Sequence, residues 1–227
     1  MKKVVSVFLA SFMLVSLVGC SSLGGSKFSA KKFDKFVQEE LSADEMDTDD
    51  VIDAFEDEDF DDLEDGVYFD VDGKDFEDVF FDAIDIREFV EEPSKIESAK
   101  AYLKFDEEKE AAIIYLLMSF KDEDKAADFL EDTVDKWDDD LCDRCSNWAI
   151  ADESEGELFG MFELYSETCS MALYQQKADV LMCLSVNEKN AVGDLAEYFG
   201  ITDPTDALKD GLKGKSDKKK KKDKDDD

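Results

Sequence analysis

The sequence predicts an α+β fold: an antiparallel β-sheet with helices packed on one face, preceded by a small helical N-terminal part. Three patterns favour this class. Residues Ala111–Phe120 form an apolar run that is too short to cross a bilayer and fits a central strand covered on both faces. Residues Ala126–Leu141 carry apolar side chains at helical spacing, and residues 168–186 alternate in the manner of a β-hairpin.

The N-terminal part, residues 28–93, is predicted to be acidic and mainly helical. Ser29 is a suitable N-cap for its first helix, since Phe28 and Phe33 are spaced as a hydrophobic staple around it. This helix is expected to end near Leu41.

A second helix, capped by Thr48 or Asp49, is expected to carry its apolar residues on one face. Val67–Val71 then alternates as a short strand does. Lys74–Val90 is ambiguous, but its apolar residues predict a short helix followed by an irregular stretch; they are Phe76, Val79, Phe80, Phe81, Ile84 and Ile86. Pro93 marks the boundary to the body of the protein.

The α+β body, residues 94–203, begins with a strand that ends at Phe105 and a turn that leads into Ala111–Phe120. Asp122 is placed to cap the next helix. This is the best amphipathic helix in the chain, and its predicted buried residues are Ala126, Phe129, Leu130, Val134, Trp137 and Leu141.

Four strands and one helix are predicted in the second half of the body. A two-residue turn at Lys177-Ala178 would pair Leu173 with Met182 and place six apolar side chains on one face. The predicted strands are Asn147–Ala151, Glu157–Ser166, Thr168–Gln176 and Asp179–Val186. The last helix is expected to start at Asn187 and to stop at Gly200. Residues 204–227 form a Lys/Asp-rich segment of low complexity, which predicts a disordered tail.

The first residues have the composition of a secretory signal. Lys2 and Lys3 precede an apolar segment, Val4–Val18, which is shorter than a membrane-spanning helix requires. The segment ends in Leu17-Val18-Gly19-Cys20, which resembles the lipobox of bacterial lipoprotein precursors. This resemblance covers only the N-terminal 20 residues.

The resemblance implies that residues 1–19 are removed and that the Cys20 sulfur receives a diacylglyceryl group. Residues 20–27 would then form a flexible tether, because small residues dominate them. Two acyl chains are enough for stable anchoring. The expected location is the extracytoplasmic face of the cell membrane.

Charge and composition narrow the range of functions. The chain has 61 acidic and 27 basic residues and a net charge of −34, which disfavours nucleic-acid binding and suits basic or cationic partners. It has no histidine, which excludes Ser-His and Cys-His nucleophile pairs and histidine metal sites. No Gly-rich phosphate loop occurs, and the calcium-loop pattern fails at Asp70–Gly73 because Lys74 and Phe81 occupy ligand positions. No cofactor and no metal site are therefore predicted.

The four cysteines after Cys20 allow several interpretations. Cys142 and Cys145 form a C-x-x-C at the end of a helix among aspartates, where both the helix dipole and the charges disfavour a thiolate. A structural disulfide among Cys142, Cys145 and Cys169, simple buried thiols, and a metal or redox site all remain open. The predicted hairpin register places Cys169 and Cys183 on opposite faces, which argues against a shared metal.

Two classes of function follow. The first is a lipid-anchored, non-enzymatic cell-envelope protein whose α+β body binds a partner or ligand. The alternative is a cell-surface hydrolase that uses carboxylates, which would require a concave pocket with two suitably spaced carboxylates.

Overall fold

The structure is a computed structural model that describes residues 27–153, 156–164, 167–204 and 208. The predicted signal peptide, Cys20 and nearly all of the tail lie outside the described residues. The α-helices are α1 Ala30–Lys35, α2 Thr48–Glu56, α3 Glu123–Lys136, α4 Cys142–Arg144 and α5 Ala191–Phe199. The strands are β1 Asp44–Glu45, β2 Val67–Asp72, β3 Ile96–Asp106, β4 Ala111–Phe120, β5 Asn147–Glu153, β6 Glu157–Leu164, β7 Glu167–Gln176 and β8 Asp179–Val186.

Two helix starts follow the capping chemistry that the sequence predicts. The Ser29 side chain accepts a hydrogen bond from the Lys32 backbone N–H, and Asp122 accepts one from the Lys125 N–H. Beyond α1 and α3 the chain continues in wide π-helical turns, Phe36–Glu40 and Trp137–Leu141.

Two other helix starts differ from the prediction. Asp47 occupies the N-cap position of α2, and the Thr48 hydroxyl instead donates to the carbonyl of Asp70 in β2. The last helix begins at Ala191 and not at Asn187. Asn187 has a φ of 56°, and its side chain donates to the Glu110 carbonyl, so it closes the end of the sheet.

The eight strands form one sheet in the order β1-β2-β3-β4-β8-β7-β6-β5. Every neighbouring pair is antiparallel except β1 and β2. After β4, the α3 segment leads to the far edge at β5, and the chain returns strand by strand until β8 pairs with β4. The α+β class is confirmed, and so is the pairing of Leu173 with Met182.

Helices cover both faces of the sheet, which corrects the expectation of a single helical face. Phe129 and Leu130 of α3 pack with Ile114 and Met118 on one face. On the other face Leu195 of α5 packs in a second cluster, whose members also include Phe33, Tyr115, Leu117 and Phe199. The physical reason lies in β4, because successive side chains of a strand point to opposite faces and nearly all of them are apolar here.

Strand β2 belongs to the same sheet as the body. It lies before Pro93 in sequence and pairs with β3 from Val67↔Leu103 to Asp72↔Ser98. Val71 and Phe80 from the N-terminal part share a hydrophobic cluster with Met182. Among the described residues, no helix has the length and apolar character to cross a membrane.

Candidate functional site

A polar groove runs along the β1 edge of the sheet, where α1, the start of α2 and strands β2 and β3 meet. It consists of two adjoining depressions of about 300 and 340 Å³ that share Thr48, Asp70 and Lys100. We call it the edge groove. Its other polar lining residues are Asp34, Gln38, Glu45, Asp47, Tyr68, Asp72, Asp75 and Ser98.

The groove arises because the strands at this edge differ in length. Strand β1 pairs with only Val67 and Tyr68. Strand β2 continues four residues further, to Asp72. Past β1, the Thr48 hydroxyl takes over as the partner of the Asp70 carbonyl at 3.0 Å. The chain therefore leaves the sheet edge and opens a depression beside the second half of β2.

Lys100 lies at the centre of the edge groove. Its Nζ is 2.9 Å from Asp34 Oδ1 and 2.7 Å from Asp70 Oδ1, so it joins α1 to β2. Burial lowers the pKa of Lys100, but hydrogen bonds to Asp70 and Asp34 outweigh it and leave the pKa above its ordinary value. The ammonium therefore stays charged across the physiological range.

A second polar contact closes one side of the groove. The Tyr68 hydroxyl donates to Glu45 Oε2 at 3.1 Å, which holds the β1 carboxylate against β2. Burial and the neighbouring Glu45 raise the pKa of Tyr68, so its hydroxyl keeps its proton and remains a donor.

The charge balance of the groove favours cationic ligands. Six carboxylates line it, and Lys100 is the only basic residue among its lining residues. The arrangement does not favour hydrolysis. The ammonium lies between Asp34 and Asp70, where a water and a scissile bond would be needed, and the Asp70 side chain is 69% exposed.

The cysteines of the body lie away from the edge groove. Cys142 is buried at the start of α4, and Cys145 is half-buried just beyond it. Cys169 packs on the α3 face and Cys183 on the α5 face, so the predicted separation of these two is confirmed. In the structure all four side chains are thiols.

The thiol environments disfavour thiolate chemistry. Burial raises the pKa of Cys169 to about 12 and also raises the pKa of Cys145 and Cys183. A thiolate is the form that attacks disulfides and binds metals, so these positions are poor redox or metal sites. Within the described ranges, no group of three or more cysteines, aspartates and glutamates is placed to hold a metal ion.

Sequence reasoning did not find the edge groove. Asp34, Asp70 and Lys100 come from three different elements, and each is an ordinary charged residue in a chain where 39% of residues are charged. One signal was available: Lys100 lies between Ala99 and Ala101 in β3, on the face of the strand where the structure places α1.

Comparison with known proteins adds little to the interpretation of the edge groove. No protein-family model matches the chain, and no curated protein matches it. Among solved structures, the extracellular domain of PknH from Mycobacterium tuberculosis shares 16% identity with a TM-score of 0.33. The match covers 46% of this chain and 62% of that domain, so the chain spans less than two thirds of its length. The groove is therefore interpreted from its own residues.

Proposed function

We propose that the mature chain is a lipid-anchored, non-enzymatic protein of the cell envelope whose α+β body binds a basic partner through the edge groove. The observation that carries the location is Leu17-Val18-Gly19-Cys20 at the end of an apolar segment. Only a thiolate accepts the lipid readily, so a cysteine at the end of this pattern points specifically to lipidation of Cys20. A diacylglyceryl group there would hold the body outside the cytoplasmic membrane.

The edge groove supports the binding half of the proposal. A lysine or arginine side chain of a partner would meet Glu45, Asp47 and Asp72 in a depression that is open to solvent. Charge pairs of this kind contribute more to the rate of association and to the choice of partner than to raw affinity. The groove therefore selects basic partners and disfavours nucleic acid.

Anchoring is tested by the variant Cys20→Ala. In cells fed a clickable fatty acid, the wild-type chain should be labelled and the variant should not. Equal labelling of the two chains would refute the lipid anchor.

Binding is tested by pull-down from envelope extract with three mature chains. One is the wild type, one carries Glu45→Gln, Asp47→Asn and Asp72→Asn in the groove, and the control carries Asp61→Asn, Asp62→Asn and Glu64→Gln elsewhere. Each variant loses three negative charges. We expect a basic protein to be retained by the wild type and the control and lost by the groove variant. Retention of the same proteins by all three chains would refute the role of the groove.

A further inference from the structure

The described part of the chain ends on the face of the sheet that carries the edge groove. Pro204 and Leu208 are buried, and Leu208 belongs to the same hydrophobic cluster as Phe33 of α1. Just before them, the Thr202 carbonyl accepts a hydrogen bond from the Tyr174 hydroxyl at 2.6 Å, which fixes this segment above β7. The residues after Leu208 therefore start from the face that α1 and α5 cover.

The groove and this chain end also lie on one row of paired residues across the sheet. The row runs from Tyr174 in β7 to Asp70 in β2 by way of Leu181, Leu117 and Lys100. It crosses five neighbouring strands, so its two ends are about 19 Å apart. The centre of the groove is therefore level with the point at which the Tyr174 hydroxyl holds the chain end.

The sequence after Leu208 carries a charge opposite to that of the groove. Residues 209–224 contain nine lysines and only three aspartates, in a chain whose net charge is −34. Five of these lysines are consecutive, Lys218–Lys222, and Asp225–Asp227 come only after them. The ten residues from Leu208 to Lys218 span up to about 35 Å, so the run reaches the groove with enough chain left to pass around α1.

The part of the groove beside the second half of β2 is an uncovered face of the sheet. Asp72 of β2 and Ser98 of β3 are both exposed there and line the depression of about 340 Å³. Lys100 pairs with Asp34 and Asp70, and Glu45 accepts the Tyr68 hydroxyl. Within the described residues, the carboxylates of Asp47 and Asp72 have neither an ion pair nor a hydrogen bond. They therefore remain for a basic ligand, one on each side of Lys100.

Other acidic surfaces are placed less well for this segment. Segment 57–65 contains seven carboxylates, but Phe60 within it packs on Phe105 in the cluster of the opposite, α3 face. A segment that starts at Leu208 would have to pass around an edge of the sheet to reach it. Asp194 and Glu197 of α5 are exposed on the near face and lie outside the groove, so they serve as controls.

We propose that the chain's own lysine run, Lys218–Lys222, occupies the edge groove and that a basic partner has to displace it. The inference rests on the proposed function, because it assigns an internal ligand to the same site. Lysines of the run pair with Asp47 and Asp72 on the two sides of Lys100. A short linker gives such a segment a local concentration in the millimolar range. The run therefore lowers the apparent affinity of the groove and rejects partners of low positive charge.

The first test is zero-length coupling of lysines to carboxylates with a carbodiimide. It uses the full chain as cells process it, in non-ionic detergent, as an equal mixture of heavy-isotope and light-isotope protein. Mass spectrometry then separates links within a chain from links between chains. We expect Lys218–Lys222 to be joined to Asp47 or Asp72 of the same chain. Equal yields of links to Asp194 and Glu197, or links chiefly between chains, would overturn the inference.

The second test is the rate at which an amine-reactive ester acylates Lys218–Lys222. Neutralising the groove with Glu45→Gln, Asp47→Asn and Asp72→Asn should speed this acylation about fivefold, because several exposed ion pairs of modest strength are lost together. The control variant carries Glu188→Gln, Asp194→Asn and Glu197→Gln, which remove the same charge in and just before α5. It should leave the rate unchanged. Equal acceleration by both variants would show a general effect of charge and refute docking in the groove.

Pull-down from envelope extract separates this inference from the proposed function. The tail variant carries Lys218→Gln, Lys219→Gln, Lys220→Gln, Lys221→Gln and Lys222→Gln, and it should retain more of a basic protein than the wild type does. Equal retention refutes the displacement. If the groove retains a basic protein but the lysine run neither couples to it nor changes reactivity, only this inference fails. If the run couples to the groove and no basic protein is retained, the inference holds and the proposed partner fails.

Discussion

Replacement of Trp137 by alanine should be the most damaging single substitution in the α3 face of the core. The side chain has no exposed surface. Its Nε1–H donates to the Phe89 carbonyl at 2.6 Å, and its ring meets Phe162 edge-on at 5.2 Å. Gly160 leaves room for the ring, because a Cβ there would come within 2.8 Å of Trp137. The indole thus joins β6, the end of α3 and the segment before β3.

The size of the effect follows from these contacts. Truncation of a fully buried Trp to Ala costs about 3–5 kcal/mol through lost burial and the cavity that remains. The Phe89 carbonyl also loses its partner, which adds about 1 kcal/mol. Trp137→Phe keeps most of the volume but not the donor, so it should lose about 1–2 kcal/mol.

The assay is urea denaturation followed by far-ultraviolet circular dichroism, which does not depend on tryptophan. The exposed Asp135→Ala variant on the same helix serves as the control. If Trp137→Ala lowers the free energy of unfolding no more than Asp135→Ala does, the assignment of this face to the core is wrong.

Three further predictions follow from single features. Thr133 is fully buried and its hydroxyl has no hydrogen-bond partner among the described residues, so Thr133→Val should raise the free energy of unfolding by about 1 kcal/mol in the same assay. A Cβ at Gly73 would lie 2.1 Å from the Ile96 carbonyl oxygen, so Gly73→Ala should lower the free energy of unfolding by about 1–3 kcal/mol. The same change at Gly193 should have a smaller effect on the free energy of unfolding. Burial raises the pKa of Tyr102 to about 12, and burial also raises the pKa of Tyr115 and Tyr174. In the unfolded chain these tyrosines ionise near pH 10. The free energy of unfolding should therefore keep its full value below pH 10 and decrease as the pH rises from about 10 to 12, by about 2–3 kcal/mol for Tyr102 alone. Thermal melts across this pH range measure the melting temperature, and absorbance at 295 nm follows the ionisation of the tyrosines. A constant melting temperature while the tyrosines titrate would contradict the prediction that their burial couples ionisation to unfolding.

Local patterns predicted the parts of the fold in which neighbours in sequence are neighbours in space. The turn at Lys177-Ala178 aligns Leu173 with Met182 because a two-residue turn fixes the register of both strands. Asp122 begins α3 because its carboxylate reaches the Lys125 N–H three residues later. The Asn187 prediction failed because a contact with Glu110, distant in sequence, decided the local conformation.

By itself, the sequence determined the α+β class, the central β4 strand, the amphipathic α3 helix and the acidic character of the chain. Each of these depends on composition or on a period within one segment. Only the tertiary structure decided that α3 and α5 lie on opposite faces and that Lys100 meets Asp34 and Asp70. These contacts join segments far apart in the chain, and the path of the strands across the sheet sets which of them meet.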